Sequence, residues 1–456
     1  MLSSEELPIV LERGFQADRL LQQVLNFEAP LPQWKFSTDS RRVALDGWFI
    51  ALKGSNFNGH QFCQQALKSG ATGLIVSELP DELAKAQVPI LLVSNTLEAY
   101  QLIARHHRRK HNSTIIALTG SNGKTSTKEM LQKVLSVKLT TSCSEGNENN
   151  EIGVPKNILK IESSTQSFIA ECGMRGLHQI EDLSKICEAD CAAITNIGTA
   201  HIGLLGSREN IAQAKCEIFR FMPKDKTAFI PHNEPLIEPW EKSMQGQINF
   251  VKFGQYENAH FDGQYMRFTY KNFSYALQTP NVAFVSNACL VIEIAHHLGL
   301  SSSQIQEGLL AFKPFGGRGQ IHQLTGGALV IDETYNANPD SALALAQSLQ
   351  AFGHKYHKIL ILGEMAELGD FAGFLLDELA SKLHSMVDTV LLIGEANRSL
   401  ADKLGENAHW VTNLEDAHSL LKDNAGTMLN SGCIIGLKAS RSAQLERLLT
   451  LLQDES

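Results

Sequence analysis

Hydrophobic positions along the chain follow two alternating rhythms: short unbroken apolar runs, and longer stretches in which apolar residues return every three or four positions. An unbroken run suits a strand buried on both faces of a parallel sheet, and the longer period suits one face of a helix. Their alternation predicts an α/β protein. The clearest unit runs from Thr114 to Val137. Thr114-Ile115-Ile116-Ala117-Leu118 predicts a buried strand, and Met130, Leu131, Val134 and Leu135 line one face of the helix after it. Further strands are predicted at 47–52, 73–77, 168–170, 192–195, 328–332, 358–362, 389–393 and 433–437. Helices are predicted to end near Ala66 and to cover 97–104 and 211–219. A chain of 456 residues has room for three domains with separate cores. The rhythm divides it into a small α/β domain at 1–110, a doubly wound domain at 111–313 and a Rossmann-like α/β domain at 314–456.

Composition narrows the partners. Charged residues make up 20% and the net charge is −9, without long blocks of one sign, so no nucleic-acid partner is expected. Met1-Leu2-Ser3-Ser4-Glu5-Glu6-Leu7 lacks the basic region and apolar run of a signal peptide. No apolar stretch approaches the roughly 18 residues that span a bilayer, so no membrane insertion is expected. The eight cysteines form no Cys-x-x-Cys pair, and Cys187 and Cys191 straddle a predicted helix-to-strand junction. They read as reduced core thiols of a cytoplasmic protein.

Candidate chemistry begins where the first strand ends, in Thr119-Gly120-Ser121-Asn122-Gly123-Lys124-Thr125-Ser126. Two glycines allow a tight turn whose N–H groups point at a polyphosphate, and the helix N-terminus adds partial positive charge. Lys124 would reach the β/γ-phosphates and Thr125 would hold Mg²⁺. The strict eight-residue pattern requires glycine at position 118, where this chain has Leu118. Farther on, the strand at 168–170 delivers Glu171 at its C-terminal end, where open α/β sheets bind ligands and where a carboxylate is a natural second Mg²⁺ ligand. The strand at 192–195 delivers His201 toward the same edge.

Other segments have a plainer local reading. Arg105-His106-His107-Arg108-Arg109-Lys110-His111 reads as a solvated helix end, since cations are favoured there. Lys215 lies beside the apolar stripe Ile211, Ala214, Ile218 and Phe219, and by itself reads as a lysine snorkelling to the surface. Glu145 to Pro155 is too rich in Asn and Gly for the interior of an element; it is either turn chemistry or a surface for a polar substrate. Asn338-Pro339-Asp340-Ser341 reads as a helix cap, which accounts locally for Asp340 but leaves Tyr335 and Asn336 free to contact a base. Lys438-Ala439-Ser440-Arg441 is basic and is a possible anion contact.

Taken together, these motifs resemble the Mur ligases of peptidoglycan precursor synthesis. The resemblance rests on Asp39-Ser40-Arg41, Ala51-Leu52-Lys53-Gly54, Gly59-His60, the run Thr119 to Met130, Gly146 to Pro155, Thr195 to His201, Ala214-Lys215, Thr334 to Ser341 and Gly363 to Gly369. A shortened phosphate loop is the family's own pattern, so Leu118 fits it. Asn149-Asn150-Glu151-Ile152-Gly153-Val154-Pro155 and Tyr335-Asn336-Ala337-Asn338-Pro339 resemble the branch that adds D-alanyl-D-alanine to UDP-N-acetylmuramoyl-tripeptide. This chain departs from the family's pattern at Asn58 and Glu333, each usually Asp, at Ala439, usually Gly, and at His232-Asn233-Glu234, where Asn-Asp is more typical.

The resemblance implies an ATP- and Mg²⁺-dependent ligase that acts through an acyl phosphate, expected as a monomer. It assigns ATP to Gly120, Ser121, Asn122, Gly123, Lys124, Thr125, Ser126, Asn287, Arg318, Asp332 and Asn336. Ser40, Arg41, Lys53 and His60 would hold the UDP end, and Asn147 and Asn150 other substrate groups. Metal would sit on Thr125 and Glu171, with a second ion at His201 and Lys215. In this family that lysine is carbamylated, which overturns the snorkelling reading. Lys124, Lys215 and His201 would carry catalysis. The site is implied to assemble only when the second and third domains close. The alternatives are another amide ligase of the superfamily, adding the third residue or acting on folate, and a nucleotide-binding protein without catalysis.

Overall fold

The computed structural model describes residues 3–54, 57–79, 83 and 86–454; Asn56 lies outside them. Three main sheets succeed one another along the chain. The N-terminal sheet comprises β1 (Leu21–Leu25), β2 (Phe36–Ser37), β3 (Gly47–Ile50), β6 (Ala71–Val76) and β7 (Ile90–Val93), in the order β1-β7-β6-β3-β2. Two short strands, β4 (Lys53–Gly54) and β5 (Phe57–Asn58), pair with each other apart from it.

The central sheet is parallel throughout, in the order β13-β12-β11-β8-β10-β9. Its strands are β8 (Thr114–Thr119), β9 (Thr141–Cys143), β10 (Ser167–Glu171), β11 (Cys191–Ile194), β12 (Thr227–Pro231) and β13 (Asn249–Phe253). The helix Lys124–Leu135 covers one face and buries Met130, Leu131, Val134 and Leu135 completely. Each such side chain removed from water contributes about 1.5–3 kcal/mol before entropy is counted. The chain leaves β8 toward the β9 edge and later returns past β10 to β11 on the other side. That reversal opens a crevice at the C-terminal ends of β8, β10 and β11. Register brings Glu171 beside Leu118 and Ile194 beside Thr119, so all three strands deliver their loops to one place. An antiparallel sheet of β14 (Glu257–Phe261), β15 (Met266–Tyr270) and β16 (Phe273–Leu277) follows.

The C-terminal sheet has the order β17-β18-β22-β19-β20-β21, formed by β17 (Gln320–Gln323), β18 (Leu329–Glu333), β19 (His357–Leu362), β20 (Thr389–Ile393), β21 (Ala408–Val411) and β22 (Cys433–Lys438). Only β17 runs antiparallel to its neighbour. Glu333 and Leu362 both stand opposite Lys438, so the loops after β18, β19 and β22 leave one edge together.

Two local expectations are corrected. The basic run does not end in solvent: the helix Thr96–Lys110 continues through it and lies against the central domain. Arg105 and Arg109 both bind Glu188, and Arg108 donates to Asp190 Oδ2 at 2.9 Å. Cations spaced along one helical face met acidic partners that the next domain supplies. The asparagine-rich run also enters a helix, Gly153–Ile158, whose first N–H groups Asn150 caps. No helix among the described residues is long and apolar enough to cross a membrane.

Candidate active site

The phosphate-loop sequence forms a turn that only glycine fits at two points. Gly120 has φ +152°, and a Cβ there would sit 1.8 Å from Thr195 Oγ1 at the end of β11. Gly123 has φ +79°, with Asn287 packed where its side chain would be. The turn is pinned from β11: Asn196 Oδ1 accepts from the Asn122 N–H at 2.9 Å, while Thr195 Oγ1 and Asn196 Nδ2 both donate to Asn122 O. Ser121 Oγ accepts from the Gly198 N–H at 2.9 Å. Lys124 Nζ donates to Gly120 O at 2.6 Å, curled back over its own loop. Burial lowers its pKa, which the Glu171 carboxylate opposes and Arg318 reinforces.

A cleft of about 540 Å³ separates the central and C-terminal domains. One wall presents residues 121–126, Asn147, Asn149, Glu171 and Asn287; the other presents Arg318, Glu333, Tyr335, Asn336 and Lys438. The Arg318 guanidinium lies 3.7 Å from the centre of the Tyr335 ring, a stacked cation–π arrangement. Lys438 Nζ lies 3.3 Å from Glu333 Oε2. Glu171 is 2% exposed, with Oε1 accepting from Asn149 Nδ2 at 2.8 Å and Oε2 without a hydrogen-bond partner. A buried carboxylate oxygen that accepts no hydrogen bond and has the Lys128 ammonium near it, at 3.8 Å, lies in the same cleft as the hydroxyl-bearing Thr125 and fits a hard divalent cation.

His201 and Lys215 lie outside the cleft lining. Lys215 is 1% exposed, and burial followed by the Lys124 charge drives its pKa well below the usual lysine value. The snorkelling reading therefore fails: the helix Arg208–Cys216 packs against Gln179–Cys187, Ile202–Leu205 and Pro235–Ile237, and burial rather than a carboxylate dominates the surroundings of the amine. His201 has φ +66°, and its Nδ1 lies 2.6 Å from Glu367 Oε2 of the C-terminal domain. Burial lowers its pKa, Glu367 opposes that, and Lys124 and Lys215 add to it, so the three basic groups share one electrostatic neighbourhood.

The two domains also touch through polar contacts. Asn122 and Asn338 exchange amide hydrogen bonds, one at 2.8 Å. Asp340 Oδ2 accepts from both the N–H and the hydroxyl of Thr199. The Gly203 N–H donates to Glu367 O at 3.0 Å. Asp340 is thus more than a local cap; Asn338 is the N-cap of helix Pro339–Gln350, which leaves the Asp340 carboxylate free to reach across.

Four sequence-predicted residues stand elsewhere. Asn150 spends its side-chain oxygen on the N–H groups of Ile152 and Gly153, and Asn149 occupies the cleft instead. Asp332 faces inward, accepting from the Thr334 N–H and hydroxyl, while its neighbour Glu333 lines the cleft. His60 is buried: Nε2 accepts from the Ser77 N–H at 2.9 Å, so Nδ1 carries the proton and donates to Asn58 Oδ1 at 2.7 Å. Ser40 and Arg41 do line a cavity of about 450 Å³ in the N-terminal domain, with Phe57 and Phe62 stacked beside them. Lys53 pairs instead with Glu78 at 3.6 Å. Asn149, Asn196, Asn338 and the Asp340 bridge were missed, although all four lie inside motifs singled out above. Their type was visible, but which amide faces the cleft depends on the backbone.

Comparisons with known proteins agree over nearly the whole chain. Residues 36–108 match the Mur ligase family catalytic domain, 118–295 the Mur ligase middle domain and 317–440 the Mur ligase glutamate ligase domain. The UDP-N-acetylmuramoyl-tripeptide–D-alanyl-D-alanine ligase of Synechocystis sp. is 34% identical over 439 residues, covering 96% of this chain and 95% of that one. The ligase of the same name from Bacillus subtilis is 31% identical, covering 91% and 92%. Among solved structures, MurF from Acinetobacter baumannii superposes with a TM-score of 0.85 at 28% identity, over 99% of this chain and 98% of that one. MurF from Thermotoga maritima in complex with ADP gives 0.80 at 26% identity, over 92% and 97%. A folylpolyglutamate synthase from Mycobacterium tuberculosis gives 0.60 at 17% identity, over 78% and 94%, a likeness of fold alone.

Proposed function

Because this chain belongs to the Mur ligase family, we propose that it joins D-alanyl-D-alanine to UDP-N-acetylmuramoyl-tripeptide, converting ATP to ADP and phosphate and yielding UDP-N-acetylmuramoyl-pentapeptide. The observation that carries this reading is the cleft itself, where the loop Gly120–Thr125 faces Arg318, Tyr335 and Asn336 of the other domain. One wall suits phosphates and the other a nucleotide body. The sheet edges come from different domains, so reaction waits on their closure, which excludes water from a hydrolysable acyl phosphate.

The chain's own groups divide the work. The loop N–H groups and the helix N-terminus cradle the phosphates. Lys124 exchanges the Gly120 carbonyl for the transferring phosphoryl group, and Arg318 adds charge from the far side. Mg²⁺, held by Thr125 and Glu171, supplies neutralisation of phosphate oxygens when bound. The tripeptide carboxylate takes the γ-phosphoryl group and ADP leaves. The D-alanyl-D-alanine amine then attacks the acyl carbon, and the tetrahedral adduct expels phosphate with loss of the amine's proton. His201 and Lys215 would hold a second cation. Lys215, whose pKa burial and the nearby Lys124 charge push well below the usual lysine value, is suited to carbamylation by CO₂, which would turn it into an oxygen ligand. Asn147 and Asn149 face the acceptor substrate. Ser40 and Arg41, with the Phe57 and Phe62 rings, receive the UDP end. The reading takes the domains as 1–110, 111–313 and 314–456 and the protein as a monomer. A cytoplasmic setting suits the ATP and UDP-linked substrates and the free cysteines.

The test is phosphate release from ATP and Mg²⁺ with UDP-N-acetylmuramoyl-tripeptide, with and without D-alanyl-D-alanine, beside Lys124→Ala. Release requiring both substrates and absent from the variant is expected. Stimulation by a single amino acid in place of the dipeptide would make the chain a sister ligase, and no stimulated turnover would make it a binding protein.

A further inference from the structure

One turn beyond Lys124 on the phosphate-loop helix lies Lys128, a lysine that touches none of the proposed reactants and is 0% exposed. Its Nζ donates to Ser144 O at 2.7 Å and Gly146 O at 2.9 Å. It lies 3.3 Å from Glu129 Oε1 and 3.8 Å from Glu171 Oε2. Ser144 and Gly146 begin the loop that carries Asn147 and Asn149 into the cleft, and Asn149 in turn binds the other oxygen of Glu171. One ammonium therefore ties three things together: the helix that bears Lys124 and Thr125, the start of the asparagine loop, and the carboxylate on the neighbouring strand. An ammonium is costly to bury, and methionine would fill similar space without that penalty. Two backbone carbonyls and two carboxylates offset the cost, and their geometry leaves the ammonium one place to sit.

We propose that Lys128 is a positioning residue for the metal-facing carboxylate, fixing Glu171 and the loop from Ser144 to Gly153 against the phosphate-loop helix. This deepens the ligase reading, since it takes Glu171 to face the Mg²⁺ of that reaction. The main competitor is a simple counter-charge, and the two differ in sign. Removing a mere counter-charge leaves the site more negative and tightens a divalent cation. Removing a positioning residue lets Glu171 and Asn149 wander and loosens it.

Mn²⁺ alone, titrated by electron paramagnetic resonance without substrates, separates them in the wild type, K128M, K128Q and E171Q. Both Lys128 variants are expected to bind Mn²⁺ about 10–100-fold more weakly, the range typical of residues that support metal ligands. Amide exchange is expected to quicken across 144–153 and not across β12 and β13. K128Q retains a polar end group and serves where K128M does not fold. Unchanged or tighter Mn²⁺ binding in a folded variant overturns the proposal, as does Mn²⁺ binding that E171Q leaves untouched. Turnover plays no part in these readouts, so a chain that binds Mn²⁺ as expected but fails to ligate would refute the ligase reading and not the role of Lys128.

Discussion

Replacing Asp340 with alanine tests whether the two domains must be latched for turnover. The Asp340 carboxylate, on the C-terminal domain, accepts from the Thr199 N–H at 2.6 Å and the Thr199 hydroxyl at 2.8 Å, on the central domain. Hydrogen bonds to a charged group each contribute roughly 1.5–3 kcal/mol. Asp340 is exposed, so the lower figure applies, and the pair comes to about 3 kcal/mol. At about 1.4 kcal/mol per factor of ten, its loss lowers the ratio of closed to open forms by about 100-fold. Where closure limits the reaction, kcat/KM for phosphate release falls by the same factor. Thr199→Val removes the hydroxyl and keeps the N–H, so about a tenfold loss is expected from that change alone. The double variant should be no worse than Asp340→Ala, because the hydroxyl has already lost its partner. If the two losses multiply, or Asp340→Ala stays within about threefold of wild type, the latch is not what the bridge provides. Thr199→Val without effect beside a defective Asp340→Ala would place the carboxylate on a ligand instead.

Three further outcomes follow from the same geometry. Gly203→Ala would set a methyl 2.7 Å from both Glu367 O and Gly369 N, all backbone, so the C-terminal loop must back away. Turnover should drop with a stability loss of about 1–3 kcal/mol, checked by phosphate release and thermal melting. His107 accepts from Trp34 Nε1 through Nδ1 and donates to Ile161 O through Nε2, and burial holds its pKa down at about 4 against an ordinary 6.5. The unfolded chain therefore binds the proton first, and stability contributed by His107 is full above pH 6.5 and lost as pH falls through about 4. That loss amounts to about 3 kcal/mol, and denaturant titrations of His107→Gln should lack it. Lys215→Ala should lose about 100-fold or more in turnover and regain part of it with added formate or acetate. Full activity without added carboxylate would remove the carbamate.

What could be read along the chain was whatever depends on neighbours in sequence. The strand at 114–119, the turn and the helix at 124–135 form where their apolar spacing and glycines predict, because sterics and periodicity act over a few residues. Glu171 and the Thr195–His201 loop were legible for a related reason: parallel strands deliver their C-terminal ends to one edge, whatever lies between them. Chemistry that depends on a distant segment was not. Gly120 is required by Thr195, and the basic run after Ala104 is neutralised by Glu188 and Asp190. Asp340 looked sufficient as a helix cap until Thr199 appeared opposite it. Among three neighbouring asparagines, backbone direction alone decided that Asn149 faces the cleft while Asn150 caps a helix. Lys215 is the sharpest case, since its place beside an apolar stripe fits either a snorkelling lysine or a buried one. Periodicity determines which face of a helix is apolar; only the packing of other elements determines how far water reaches around it, and hence how far the pKa of that amine is pushed down.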